Sequence, residues 1–161
     1  MQRITPFLWF DHQAEEAANF YISIFKNAKI GKIARYSEEA SNAAGRPAGS
    51  AMTVAFQLDG QEFIALNGGP HFHFTEAVSF VVNCETQEEI DELWEKLSKG
   101  GQESQCGWLK DKYGLSWQIV PTALSRLMSA TDPKKSQRVM QAILQMQKLD
   151  IRRLQEAYDQ A

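Results

Sequence analysis

The sequence predicts an α+β protein: two modules that each run strand, helix, short strands, followed by a helical tail. Three observations carry this reading. A strand-helix-strands pattern over residues 1–70 starts again over residues 71–121, as a duplicated module does. Asp59-Gly60 sits between two alternating runs and marks a tight hairpin. After Pro121 the period becomes helical and stays so through residues 122–161. The three segments are read together as one structural domain.

Ile4 to Phe10 is apolar and aromatic enough for a strand, and Asp11 is a candidate cap for the helix that follows. Ala14, Ala17, Ala18, Tyr21 and Phe25 fall near one face of that helix. Lys29 to Tyr36 is extended, and Ser37 to Ser50, with Gly45, Pro47 and Gly49, reads as a loop. Ala51 to Leu58 alternates, Gln61 to Leu66 returns beside it, and Asn67-Gly68-Gly69-Pro70 ends the module. That turn lacks the spacing and the strand-to-helix setting of a phosphate loop.

The second module opens with a strand from Ala77 to Cys84. Thr86 and Glu89 form a capping box, Ile90, Leu93, Trp94 and Leu97 make the buried stripe, and Gly100-Gly101 stops the helix. Gln105 to Lys110 is extended, Asp111 to Gly114 turns, and Leu115 to Val120 returns. Two short strands must therefore fit between Gln102 and Lys110, or one is degenerate. In the tail, Leu124, Leu127 and Met128 share a short helix. Pro133 starts a second helix whose apolar face is Val139, Met140, Ile143, Leu144 and Met146. Asp150 caps a last helix, with Leu149 and Leu154 spaced as a hydrophobic staple.

Composition excludes several classes. Hydrophobic residues make up 43% and charged residues 23% of 161 residues, which is ordinary for a packed domain. The net charge of −3 and the lack of a Lys/Arg run argue against nucleic-acid binding. No stretch approaches the ~20 apolar residues of a membrane span. The N-terminus has no apolar run or cleavage site of a signal peptide. Cys84 and Cys106 form no disulfide framework, so a cytoplasmic location with reduced thiols is expected.

Several motifs, weak singly, are specific in their order and spacing. They are Thr5-Pro6-Phe7-Leu8-Trp9-Phe10-Asp11, Ala14-Glu15-Glu16-Ala17 with Phe20-Tyr21, and Ala65-Leu66-Asn67-Gly68-Gly69-Pro70. Cys106-Gly107-Trp108-Leu109-Lys110-Asp111 and Gly114-Leu115-Ser116-Trp117-Gln118 follow, with Arg138-Val139-Met140 and Lys148-Leu149-Asp150-Ile151 in the tail. Together they resemble the PhnB-like family of the glyoxalase/bleomycin-resistance/dioxygenase (vicinal oxygen chelate) superfamily over nearly the whole chain. The resemblance implies two βαβββ modules whose mixed sheets curl into cups around a pocket. The family is often labelled a 3-demethylubiquinone 3-methyltransferase domain. A methyltransferase of the common type needs a doubly wound domain with a glycine-rich loop, which this sequence lacks.

The superfamily's metal-dependent members carry His and Glu on the first and last strand of each module. Carried over, those places fall at Thr5 or Pro6, at Ile64 or Ala65, between Ala77 and Ser79, and at Gln118. None is a histidine or carboxylate, so the metal site is expected to be absent and no cofactor is expected. Ser116 and Gln118 share one face of the last strand and suit a hydrogen-bonding pocket; the plainer reading is a satisfied core amide. Phe10, Asn67, Ser79 and Cys106 complete the expected lining. The aromatics Trp9, Phe10, Phe56, Trp108 and Trp117 are expected to line or back the cup, with core packing the plainer reading for most of them. Cys106 could serve as a nucleophile, but it has no sequence partner and reads better as an inert thiol.

The leading expectation is thus a homodimeric module that binds a small apolar or aromatic molecule without metal. The alternative is a glyoxalase-, isomerase- or dioxygenase-like enzyme using a divalent metal on His71, His73 and Glu76, although loop histidines are more often simply solvated. The tail's apolar face, through Val139, Ile143 and Met146, is expected to need a partner surface and to form a dimer seam.

Overall fold

The structure, a computed structural model, describes residues 2–129 and 131–160. It divides into two compact units, Met1–Phe74 and Thr75–Ala161.

The first unit runs β1 (Phe7–Phe10), α1 (Ala14–Ile24), β2 (Lys29–Arg35), α2 (Glu38–Ala44), β3 (Ala51–Leu58) and β4 (Gln61–Asn67). Its four strands lie in the order β1-β4-β3-β2, with β1 parallel to β4 and the other pairs antiparallel. Asp59 and Gly60, both at positive φ (50° and 79°), make the tight β3–β4 turn that the Asp-Gly pair predicts. Alternation decides which side chains are covered: Val54, Phe56, Phe63 and Ala65 are buried, and Tyr21 of α1 stacks on Phe56 at 6.0 Å.

Three expectations for this unit are corrected. The first strand begins at Phe7 rather than Ile4. Asp11 does not cap α1: the helix starts at Ala14, Gln13 gives it no side-chain cap, and Asn67 Oδ1 accepts the Ala14 N–H at 2.8 Å. Asp11 instead faces Arg46 at 3.7 Å. The segment read as a loop contains α2, whose Ser37 Oγ accepts the Ala40 N–H and whose end is Gly45 at φ 70°. This helix buries no residue, so it carries no apolar stripe to betray it.

The second unit repeats the topology: β5 (Ser79–Cys84), α3 (Gln87–Ser98), β6 (Gln102–Glu103), β7 (Trp108–Lys110) and β8 (Ser116–Pro121), in sheet order β5-β8-β7-β6 with β5 parallel to β8. Thr86 Oγ1 accepts the Glu89 N–H, and Ile90, Leu93, Trp94 and Leu97 are buried, as the stripe predicts. The strands β6 and β7 both form, but Gln105 and Cys106 lie in the turn between them rather than in a strand. Cys106 holds φ 62°, and Gly101 lets the Lys110 carbonyl pass 2.1 Å from where a Cβ would stand.

The tail forms α4 (Ala123–Met128), α5 (Pro133–Leu144) and α6 (Ile151–Asp159); Asp150 caps α6 as expected, and Asp132 caps α5. Leu127, Val139, Ile143, Met146, Leu149 and Leu154 make one buried cluster. The expected seam is thereby corrected: Val139, Ile143 and Met146 are covered within their own chain, and on α5 Met140 and Leu144 remain exposed. The tail is also tied to the second module. Met146 and Gln147 carbonyls accept the Cys106 and Gly107 N–H groups, each at 2.8 Å, and Gln87 bridges Leu149 O and Ile151 N.

Candidate functional site

The second sheet has two unlike faces. Leu109, Trp117 and Ile119 are buried on the side covered by α3. Trp117 Nε1 donates to Asp111 Oδ2 at 2.9 Å, and Asp111 Oδ1 accepts the Tyr113 and Leu115 N–H groups, so the β7–β8 turn is locked from within. The opposite face is fixed by register. Ser79 pairs Ser116, Val81 pairs Gln118, Trp108 pairs Gln118, and Lys110 pairs both Ser116 and Gln102. Residues directly opposite one another point to the same side. This open face therefore collects Ser79, Val81, Gln102, Trp108, Lys110, Ser116 and Gln118.

A cleft of about 240 Å³ lies on that face, lined by Glu76, Gln102, Ser104, Trp108, Leu109, Lys110 and Ser116. It falls below the ~300–1,000 Å³ of sites for drug-sized ligands and suits a smaller molecule. Lys110 Nζ forms an ion pair with Glu76 at the cleft, and that contact holds the Glu76 carboxyl below its ordinary value, first through the hydrogen bond and then through charge. Ser116 is fully buried, and its Oγ has no hydrogen-bond partner among the described residues. Such an orphaned hydroxyl carries a desolvation cost of about 1–3 kcal/mol.

Of the residues expected to line a pocket, the structure brings Ser79, Ser116 and Gln118 together. Ser116 lines the cleft, and beside it Gln118 Nε2 donates to Ser79 Oγ at 2.9 Å. Phe10 and Asn67 are placed elsewhere: both are buried on the α1 side of the first sheet, one residue out of phase with its open face. Trp9 and Phe7 hold that open face instead. Cys106 packs against the tail cluster, not into the cleft. Lys110, Gln102 and Ser104 were not anticipated. For Lys110 the signal is the β7–β8 turn: Asp111 faces Leu115 across the loop Lys112-Tyr113-Gly114, which sets Lys110 opposite Ser116.

A model of the 3-demethylubiquinone-9 3-methyltransferase family matches residues 2–120, about three quarters of the chain. The chain belongs to this family. Its PhnB-like character is seen in the PhnB protein of Bacillus cereus, 40% identical, which aligns over 75% of this chain and 100% of its own with a TM-score of 0.67. Protein PA1353 of Pseudomonas aeruginosa, 17% identical over 75% of this chain and 98% of its own, shares the fold at a TM-score of 0.60. The fosfomycin resistance protein FosX of Mesorhizobium loti does so at 0.56, with 11% identity over 81% of this chain and 100% of its own. The fold is thus that of the glyoxalase superfamily. No protein of curated function matches the chain. The family match ends before α4, so the tail motifs that looked like part of the resemblance lie beyond it.

The family label names methyl transfer, yet each unit here is a mixed four-stranded sheet, not a doubly wound parallel one. The superfamily's metal places fall on the following residues. On the second unit's open face they offer Ser79 and Gln118, a hydroxyl and an amide already bonded to each other, with no anionic ligand. On the first unit's open face the corresponding place is Ile64. As for His71, His73 and Glu76, no group of three or more His, Cys, Asp or Glu among the described residues is arranged to hold a metal, and Glu76 is engaged by Lys110.

Proposed function

We propose that this PhnB-like protein is a homodimeric binding module that takes a small aromatic or apolar molecule on the open face of its second sheet, without a metal ion. The observation that carries the reading is Ser116: a buried hydroxyl, without a partner, in the wall of a cleft that also presents the Trp108 ring. A core serine that served packing alone would be expected to bond a neighbouring carbonyl. Gln118, Ser79 and Gln102 add neutral donors and acceptors that can orient a ligand. The cleft's two charged residues, Lys110 and Glu76, offset each other. Dimer formation is supported by exposed Phe7 on β1 and Val81 on β5, each at the edge of its sheet.

Native mass spectrometry of the purified full chain, with a thermal-shift screen of small aromatic compounds, tests this reading. Dimers, a metal-free mass and stabilisation by ring-bearing compounds are expected. One tightly held divalent ion per chain would overturn the metal-free part. A binder unaffected by Trp108→Ala would overturn the site.

A further inference from the structure

We infer that the ligand carries a single carboxylate, which takes the place of Glu76 on Lys110 and accepts a hydrogen bond from Ser116. This rests on the binding role proposed above and names the chemistry of that same face.

Lys110 and Ser116 are direct cross-strand partners on β7 and β8, so ammonium and hydroxyl stand side by side on one face. Ser116 lines the cleft and yet is fully buried, so neighbouring side chains close over it. Lys110 on β7 and Ser79 on β5 both stand directly opposite it, and Lys110 is paired with Glu76. Glu76 itself is well exposed, in the segment that precedes β5, and is ion-paired with Lys110. An exposed pair of this kind is weak, so exchange of one carboxylate for another costs little. The incoming acid gains what Glu76 lacks: a donor at Ser116 whose hydrogen bond is otherwise unmade, and a Trp108 ring on the same face for its apolar body. A dianion would leave one charge uncompensated, because the cleft has one cation among its lining residues. The neutral Gln118–Ser79 pair beside it can only orient the ligand.

The test is an NMR titration of the full chain, followed at the amides of β7 and β8, with sodium benzoate and with its neutral isostere benzamide. Benzoate is expected to bind at least tenfold more tightly than benzamide. Glu76→Gln should tighten benzoate several-fold by removing the competing carboxylate, and Lys110→Met should erase the preference. Glu76 is exposed, so its variant is expected to fold even if Lys110→Met does not. If benzamide binds as well as benzoate, the acid falls and the aromatic site stands. If neither perturbs β7 and β8, both readings fall.

Discussion

Asn67 Oδ1 accepts the backbone N–H of Ala14 across 53 residues of sequence, so the last strand of the first module caps the helix at its start. The same side chain donates to the Ala51 carbonyl at 3.0 Å, and the Asn67 carbonyl accepts the Tyr36 hydroxyl. One buried residue thus ties α1, β3 and β4 to the residue that follows β2. Asn67→Ala removes a cap and leaves two buried backbone groups unpaired, and it is expected to cost about 2–4 kcal/mol in urea unfolding. A change below about 0.5 kcal/mol for the alanine variant, the scale of neutral surface substitutions, would show that the cap is dispensable.

Trp9 explains the glycine beside that asparagine. A Cβ at Gly68 would stand 2.3 Å from the indole, whose Nε1 donates to the Gly69 carbonyl at 2.9 Å. Gly68→Ala is therefore expected to destabilise by about 1–3 kcal/mol, as overpacking does. In a Trp9→Leu background the same substitution should cost markedly less. Equal costs in the two backgrounds, measured as a double-mutant cycle, would remove the explanation.

Cys84 is fully buried at the end of β5, and burial, with the nearby Glu89 charge, pushes its thiol from 9.0 up to about 12. The folded state keeps this proton longer than the unfolded chain does. The stability it contributes is therefore complete below about pH 9 and is lost as pH rises toward 12. Cys84→Ala should flatten that alkaline decline in thermal unfolding. In native protein Cys84 should also resist alkylation near neutral pH and react only after denaturation.

Arg138 of α5 closes the end of the last helix. Its guanidinium donates to the carbonyls of Ala157, Tyr158 and Gln160 at 2.9, 3.1 and 2.6 Å. These carbonyls have no intrahelical partners. Arg138→Ala is expected to cost about 1–2 kcal/mol and to speed hydrogen exchange in α6 before it affects the sheets. Exchange that accelerates equally in β8 and α6 would instead place Arg138 in the global core.

The strand-helix-strands repeat was legible because its signals are local: the Asp59-Gly60 turn, the Thr86 cap and the Ile90-to-Leu97 stripe each act within one turn or one helix. The site was legible only in part, because a period of two says which residues share a face and not which face is covered. Ser116 and Gln118 were grouped correctly by parity. Phe10 and Asn67 were set on the wrong side because the helix cap that pulls Asn67 inward comes from a contact 53 residues distant. Likewise, the tail's apolar face gave no sign that it would meet its own partner helices: amphipathicity announces a need for cover and is silent about the cover's source.

The appended helices reach back into the module at Gly107. Leu149 Cδ1 and the Ile119 carbonyl each stand 3.0 Å from the place of its absent Cβ, at φ 85°. A segment lying outside the family's matched residues thereby adds a steric demand at a position whose φ already favours glycine. A graft of this C-terminal helical cap onto another module must therefore keep a glycine at that place, where the cap's leucine rests against the backbone.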